Sequence, residues 1–383
     1  MKLDALLEAV LAAPDDDEPR LVFADYLLEH GDARGELIVV QCERERLERE
    51  GQTTTPAYRT ACWREHELLE RFGVGSYRRG FVSRVTLADP TTAALGGLTD
   101  ELVETIAIRT ANGVLDLDAR LVREALPRLP ARESLWPTER GLPHPLLVPA
   151  VRAARYRLPT ERTIRDLIET EAPNLRHVEC AGRLQFTADA LQRYAETPSY
   201  ARLERFALWR LDASEAAFFL EHAPPLVSAL TVVVDHEERA EREMASRLRA
   251  CPALPGVREL HVGVAPFERA EVELLHERAP RLERWTVSSG ISEDAREAVA
   301  RGPLTKRLRH LEMSFAGLPD VSNLVTAPWE RLTSLALGNA RLGWEIVEAP
   351  ALETLVSLRL FGCECDPRVE FHVKRRWPAA RIE

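Results

Sequence analysis

The sequence predicts an α/β solenoid, with a parallel sheet built one strand per coil, helices outside it, and an α-helical segment in front. Three observations carry that expectation. A short apolar-x-x-apolar-x-apolar signature recurs from about residue 80 onward, its spacing is nearly constant, and helical patterns separate its copies. The chain has 383 residues. At ~150 residues per domain that length admits two or three domains or one array.

The first elements are helical. Leu3, Leu6, Leu7, Val10 and Leu11 form one apolar stripe over residues 3–13. The run Pro14-Asp15-Asp16-Asp17-Glu18-Pro19 breaks it. Asp16 or Asp17 is expected to cap the next helix, with Pro19 in its first turn and Glu18 favoured by the helix dipole. That helix carries Leu21, Val22, Tyr26 and Leu28 and stops at Gly31. A third helix is expected over Gly35–Glu50, its charged end Glu43–Glu50 forming a solvated face, and a fourth over Ala57–Phe72 with Trp63, Leu68 and Leu69. The three adjacent aspartates suit capping better than a calcium loop, which spaces its ligands at alternate positions.

The stretch Pro14-Asp15-Asp16-Asp17-Glu18-Pro19-Arg20-Leu21-Val22-Phe23-Ala24-Asp25-Tyr26-Leu27, continuing through Gly31-Asp32-Ala33-Arg34-Gly35-Glu36, resembles the bacterial repeat-companion domain. Arg78-Arg79-Gly80-Phe81-Val82 is similar to that family's junction into its repeats. The resemblance covers about residues 1–87. It implies an N-terminal helical module followed by repeats, often leucine-rich ones, in a bacterial protein, and no catalytic role. A helical domain over 1–76 and a solenoid over 77–383 are the expected divisions.

The signature reads Val82/Val85/Leu87, Val103/Ile106/Ile108, Leu175/Val178/Cys180 and Leu203/Phe206/Leu208. It continues as Val227/Leu230/Val232, Val257/Leu260/Val262, Leu282/Trp285/Val287, Leu308/Leu311/Met313, Leu332/Leu335/Leu337 and Leu355/Leu358/Leu360. From residue 206 the central positions fall at 206, 230, 260, 285, 311, 335 and 358, at intervals of 24, 30, 25, 26, 24 and 23. Those intervals match the ~20–29-residue period of leucine-rich repeats, so the array is expected to be a leucine-rich-repeat-like horseshoe with a concave parallel sheet and outer helices. Helical patterns at Ser214–His222, Glu237–Arg249, Glu268–Ala279 and Ser292–Arg301 fill the return path. The asparagine that usually follows the strand is mostly missing, and only Cys363 stands at that position. Residues 112–174 are irregular: six prolines blur two further coils expected around Ala131–Trp136 and Val148–Arg155, with a functional insertion as the competing reading.

Composition excludes several classes. With 51 Lys+Arg against 61 Asp+Glu, the formal net charge of −10 and the lack of a basic block argue against nucleic-acid binding. Acidic residues interrupt the first apolar run, so no secretory signal is expected, and no run reaches the ~18 apolar residues that span a bilayer. The six cysteines do not make a disulfide framework in so long a chain. A cytoplasmic protein that engages neither nucleic acid nor membrane is expected. No phosphate loop, nucleophile elbow or His-Glu-x-x-His is present. Cys363-Glu364-Cys365 with His372 lacks zinc-ligand spacing, since a zinc site usually takes four ligands and a gap of two or more residues between its cysteines. No catalytic residue, metal or cofactor is therefore expected.

The positions between the apolar ones should stack into rows on the exposed sheet face. One row runs Glu179, Ala207, Thr231, His261, Thr286, Glu312, Ala336, Arg359, flanked by Arg205, Trp209, Arg284, His310, Ser314 and Phe361. Exposed Trp and Arg dominate protein interfaces. Glu179, Arg205, Trp209, His261, Arg284, His310, Glu312, Arg359 and Phe361 are thus the expected partner-binding residues of a protein-recognition scaffold. A regulatory or immunity protein inhibiting one enzyme or toxin is the narrower alternative, and an enzyme with its site in 112–174 a third.

Overall fold

A computed structural model describes residues 3–13, 16–53, 55–72, 76–78, 81–87, 103, 105–110, 113–129, 145–157, 172–181, 188–211, 213–234, 248–263, 267–288, 290–315, 317–377 and 380–382. The chain divides into two compact units, Met1–Ala153 and Ala154–Glu383.

The first unit begins with four helices, α1 (Leu3–Ala12), α2 (Asp17–Glu29), α3 (Arg34–Arg49) and α4 (Pro56–Phe72). Asp16 caps α2, its carboxylate accepting the Glu18 N–H at 3.0 Å, and Gly31 ends the turn after it at a φ of +74° that suits glycine. Leu6 and Val10 of α1 close on Phe23, Ala24 and Leu27 of α2 and on Ile38 and Cys42 of α3. The core side of α2 is therefore Arg20, Phe23, Ala24 and Leu27, whereas Leu21, Val22 and Leu28 are exposed. Two apolar sets interleave on this helix, and the i, i+3, i+4, i+7 set is the one that turns inward. Arg20 is buried with it, donating to the Asp16 carbonyl at 3.0 Å and lying over the Phe81 ring. The charged end of α3 pairs with itself and its neighbour: Arg46 takes Glu43 and Glu50, and Arg44 takes Glu48 and Glu65, each at 2.7 Å.

Four strands follow in this unit. β1 (Ser76–Arg78) and β2 (Phe81–Leu87) are antiparallel, β2 and β3 (Thr105–Thr110) parallel, and β3 and β4 (Gly113–Asp118) antiparallel. Phe81 stacks on Phe23 at 5.8 Å, and the fully buried Gln41 amide donates to Glu65 and to the Tyr77 carbonyl. The 76/77 division expected from the resemblance and the onset of the repeats lies inside the first unit, where helices and first strands share packing and hydrogen bonds. The β3–β4 step also departs from an all-parallel array. Leu115-Asp116-Leu117-Asp118 alternates strictly, with Leu115 and Leu117 buried, while Asp116 pairs with Arg84 at 2.6 Å and Asp118 with Arg152.

In the second unit β6 (His177–Cys180), β7 (Arg205–Leu211), β8 (Ala229–Val234), β9 (Glu259–Gly263), β10 (Arg284–Val287), β11 (His310–Ser314), β12 (Ser334–Gly338), β13 (Ser357–Phe361) and β14 (Arg381–Ile382) join in that order, all parallel. Helices Ala213–Glu221, Arg269–Arg278 and Glu293–Arg301 stand close to their expected limits. This is an α/β solenoid unit. Both strand positions of the apolar signature, from Val178 and Cys180 to Leu358 and Leu360, are at most 2% exposed, as are the leading residues Leu175 to Leu355. Helices cover that face, with Phe219 edge-on to Phe206 at 4.8 Å. Each coil enters its strand the same way: two adjacent N–H groups donate to one carbonyl of the preceding coil, at every step from Arg176 to Thr333. This backbone ladder partners coil to coil where the usual asparagine is missing. β5 (Val151–Tyr156) stands where the second irregular coil is expected, at Val148–Arg155. The coil expected at Ala131–Trp136 and most of the helix expected at Glu237–Arg249 lie outside the described residues.

Candidate functional site

Strand register aligns the sheet face opposite the helices into columns. Glu179, Ala207, Thr231, His261, Thr286, Glu312, Ala336 and Arg359 are partners from strand to strand. A second column, one pleat earlier, runs His177, Arg205, Ala229, Glu259, Arg284, His310, Ser334, Ser357. Parallel register with helices on one side leaves these positions on the other.

Five of the nine expected residues line one cavity of about 240 Å³: Glu179, Arg205, Trp209, His261 and Arg284. Its floor is small, because Ala207 and Ala229 occupy the middle of the face. Trp209 reaches it through a β-bulge. Register slips by one residue between Leu208 and Leu211, and Arg210 adopts a φ of +62°. A bulge re-aims the neighbouring side chain, and the Trp209 ring meets His261 edge-on at 4.8 Å. The Trp209 indole N–H is enclosed with no acceptor among the described residues.

Charge is organised by the alanines. Strands two apart lie about 9.6 Å from each other, a span that Arg and Glu bridge together when the residue between them is small. Arg205 reaches Glu259 at 2.8 Å across Ala229, and Arg359 reaches Glu312 at 2.6 Å across Ala336. Arg284 approaches Glu259 from the other side at 3.9 Å, and Arg155 approaches Glu179 at 3.5 Å. The Arg359 guanidinium also covers the Phe361 ring at 5.2 Å.

Two histidines of the face, His261 and His310, are neutral. Burial pushes His261 down to about 4, and burial with the nearby cations Arg284 and Arg309 pushes His310 to about 4. His261 Nε2 stands 3.3 Å from the Ser288 hydroxyl. No carboxylate is paired with the ring among the described residues, and so weak a base is poorly matched to proton abstraction near pH 7. The contact orients the ring. Among the described residues no three His, Cys, Asp or Glu side chains group as a metal centre, and no helix is long and apolar enough to cross a membrane. Cys363 is half-buried, its thiol donating to the Leu337 carbonyl at 3.2 Å.

No family model and no curated protein matches the chain. Solved structures are similar at low identity. One, a protein from Bacteroides fragilis, shares 14% identity at a TM-score of 0.40 and covers 58% of this chain and 69% of its own. The complex of Rad7 and Elc1 from yeast also matches at 14% and 0.40, with 62% and 70% covered. Neither likeness assigns a function.

His310, Glu312, Arg359 and Phe361 stand further along the same face and do not line the cavity. Glu259 is the residue that sequence reasoning missed. It occupies the same place before the strand's first apolar residue as Arg205, Arg284 and His310, which is the signal that identifies it.

Proposed function

We propose that the chain is a protein-recognition scaffold whose sheet face, centred on the Trp209 cavity, anchors a protein partner. The observation that carries this is the set of unspent donors at one place. Among the described residues the Trp209 indole N–H has no acceptor and Arg284 makes no hydrogen bond beyond a long approach to Glu259. An enclosed Trp N–H beside an exposed Arg with unused donors has the composition of an interface anchor. A partner side chain bearing an acceptor, such as a carboxylate or amide, would fill the cavity and take both. The helical segment, with its likeness to the repeat-companion module, would cover the first apolar edge of the array. The combined change Trp209→Ala and Arg284→Glu tests the reading. Affinity purification with native partners should lose its specific captures while circular dichroism stays unchanged. Undiminished capture by the folded variant would sink it.

A further inference from the structure

We propose that the outer faces of α2 and of the helix Pro367–Arg376 are two halves of one contact, through which copies of this chain associate. On α2 the outward residues are Glu18, Leu21, Val22, Asp25, Leu28 and Glu29. Successive steps of three and four residues place them on one stripe, about 16 Å long at 1.5 Å per residue. Leu21, Val22 and Leu28 are 38%, 44% and 45% exposed. Between them stand three carboxylates with no ion-pair partner among the described residues, although α3 and α4 beside them pair their acids densely. Three exposed aliphatic residues combined with three unneutralised acids suit a basic, apolar helix.

The chain itself carries such a helix. In Pro367–Arg376 the outward residues are Arg368, Phe371, Lys374 and Arg375, again at helical spacing. Phe371 is 64% exposed. Lys374 pairs with Glu370 at 2.7 Å, whereas Arg368 and Arg375 have no ion-pair partner among the described residues. Each face thus presents exposed apolar surface beside unpaired charge, acidic on α2 and basic on the 367–376 helix. The occupant of α2 is therefore a second copy, docked by its 367–376 helix. Two different faces meet, so the contact either closes reciprocally between copies or extends from copy to copy. One helix laid on another buries less than the ~1,000 Å² of a stable interface, so the association is weak and screened by salt.

Sedimentation equilibrium of the full chain at rising concentration tests this. The average mass should climb above the 43.1 kDa of one chain and fall back at high salt. Reversing the acidic face by Asp25→Arg with Glu29→Arg should weaken association about tenfold or more, as should Arg368→Glu with Arg375→Glu on the basic face. All four residues are exposed, so the fold is retained, and circular dichroism checks it. An equimolar mixture of the two variants should associate again, because the basic α2 of one meets the acidic helix of the other. A single-chain mass at every concentration overturns the proposal. So does association that survives either reversal, or a mixture that stays apart.

Discussion

Cys363 and Asn339 show how single residues replace a missing repeat position. The thiol of Cys363 donates to the Leu337 carbonyl of the preceding coil, and the Asn339 amide donates to the Phe315 carbonyl at 3.3 Å. The Leu337 carbonyl stands one residue before the end of its strand and the Phe315 carbonyl one residue past the end of its own, where the chain leaves the sheet. Cys363→Ala should cost about 1 kcal/mol, read as a lower urea midpoint with an unchanged slope. Cys363 was legible because it stands at the expected place in the signature. Asn339 was not, since it stands one position early and works only because it adopts the left-handed φ of +53°.

Two helices meet closely at Gly35. A Cβ there would come within 2.5 Å of the Ala24 carbonyl oxygen and 2.8 Å of Leu28 Cγ, so glycine is what lets α3 lie against α2. Gly35→Ala gains roughly 1 kcal/mol of helix propensity but forces the pair apart, and a net loss of about 1–2 kcal/mol in thermal or urea unfolding is expected. On the sheet, Ala229→Leu should fill the cavity and block the Arg205–Glu259 span together. Partner capture should fall without loss of fold, and the same capture with Leu at 229 would place the anchor elsewhere. The alternation of each strand shows from sequence which residues face out. It does not show that alanine columns let charges two strands apart pair, because that depends on register.

At the scale of the whole molecule, the neutral histidines set an acid limit. Ordinary histidine titrates near 6.5, while His261 and His310 are held at about 4 in the folded chain. Below pH 6.5 the unfolded chain therefore binds protons that the folded chain does not. Stability is full above 6.5 and declines as pH falls toward 4. Replacing both histidines by Gln should flatten that slope in urea midpoints between pH 6.5 and 4. Half-buried His276, also pushed down by burial and by Arg307, keeps part of that slope, and further loss lies lower, where Arg34, Arg64 and Arg46 hold the carboxyls of Asp32, Glu36 and Glu43 below the usual range.

The sequence by itself determined the repeating strand, its buried positions, the four leading helices and the column of residues on the open face. Those follow from local periodicity, which each segment carries within itself. Only the tertiary structure decided that Leu21, Val22 and Leu28 turn outward, that β4 runs antiparallel to β3, and that a bulge at Arg210 swings Trp209 onto His261. Each of these depends on which neighbour a segment meets, and contacts between segments distant in the chain leave no period in the sequence.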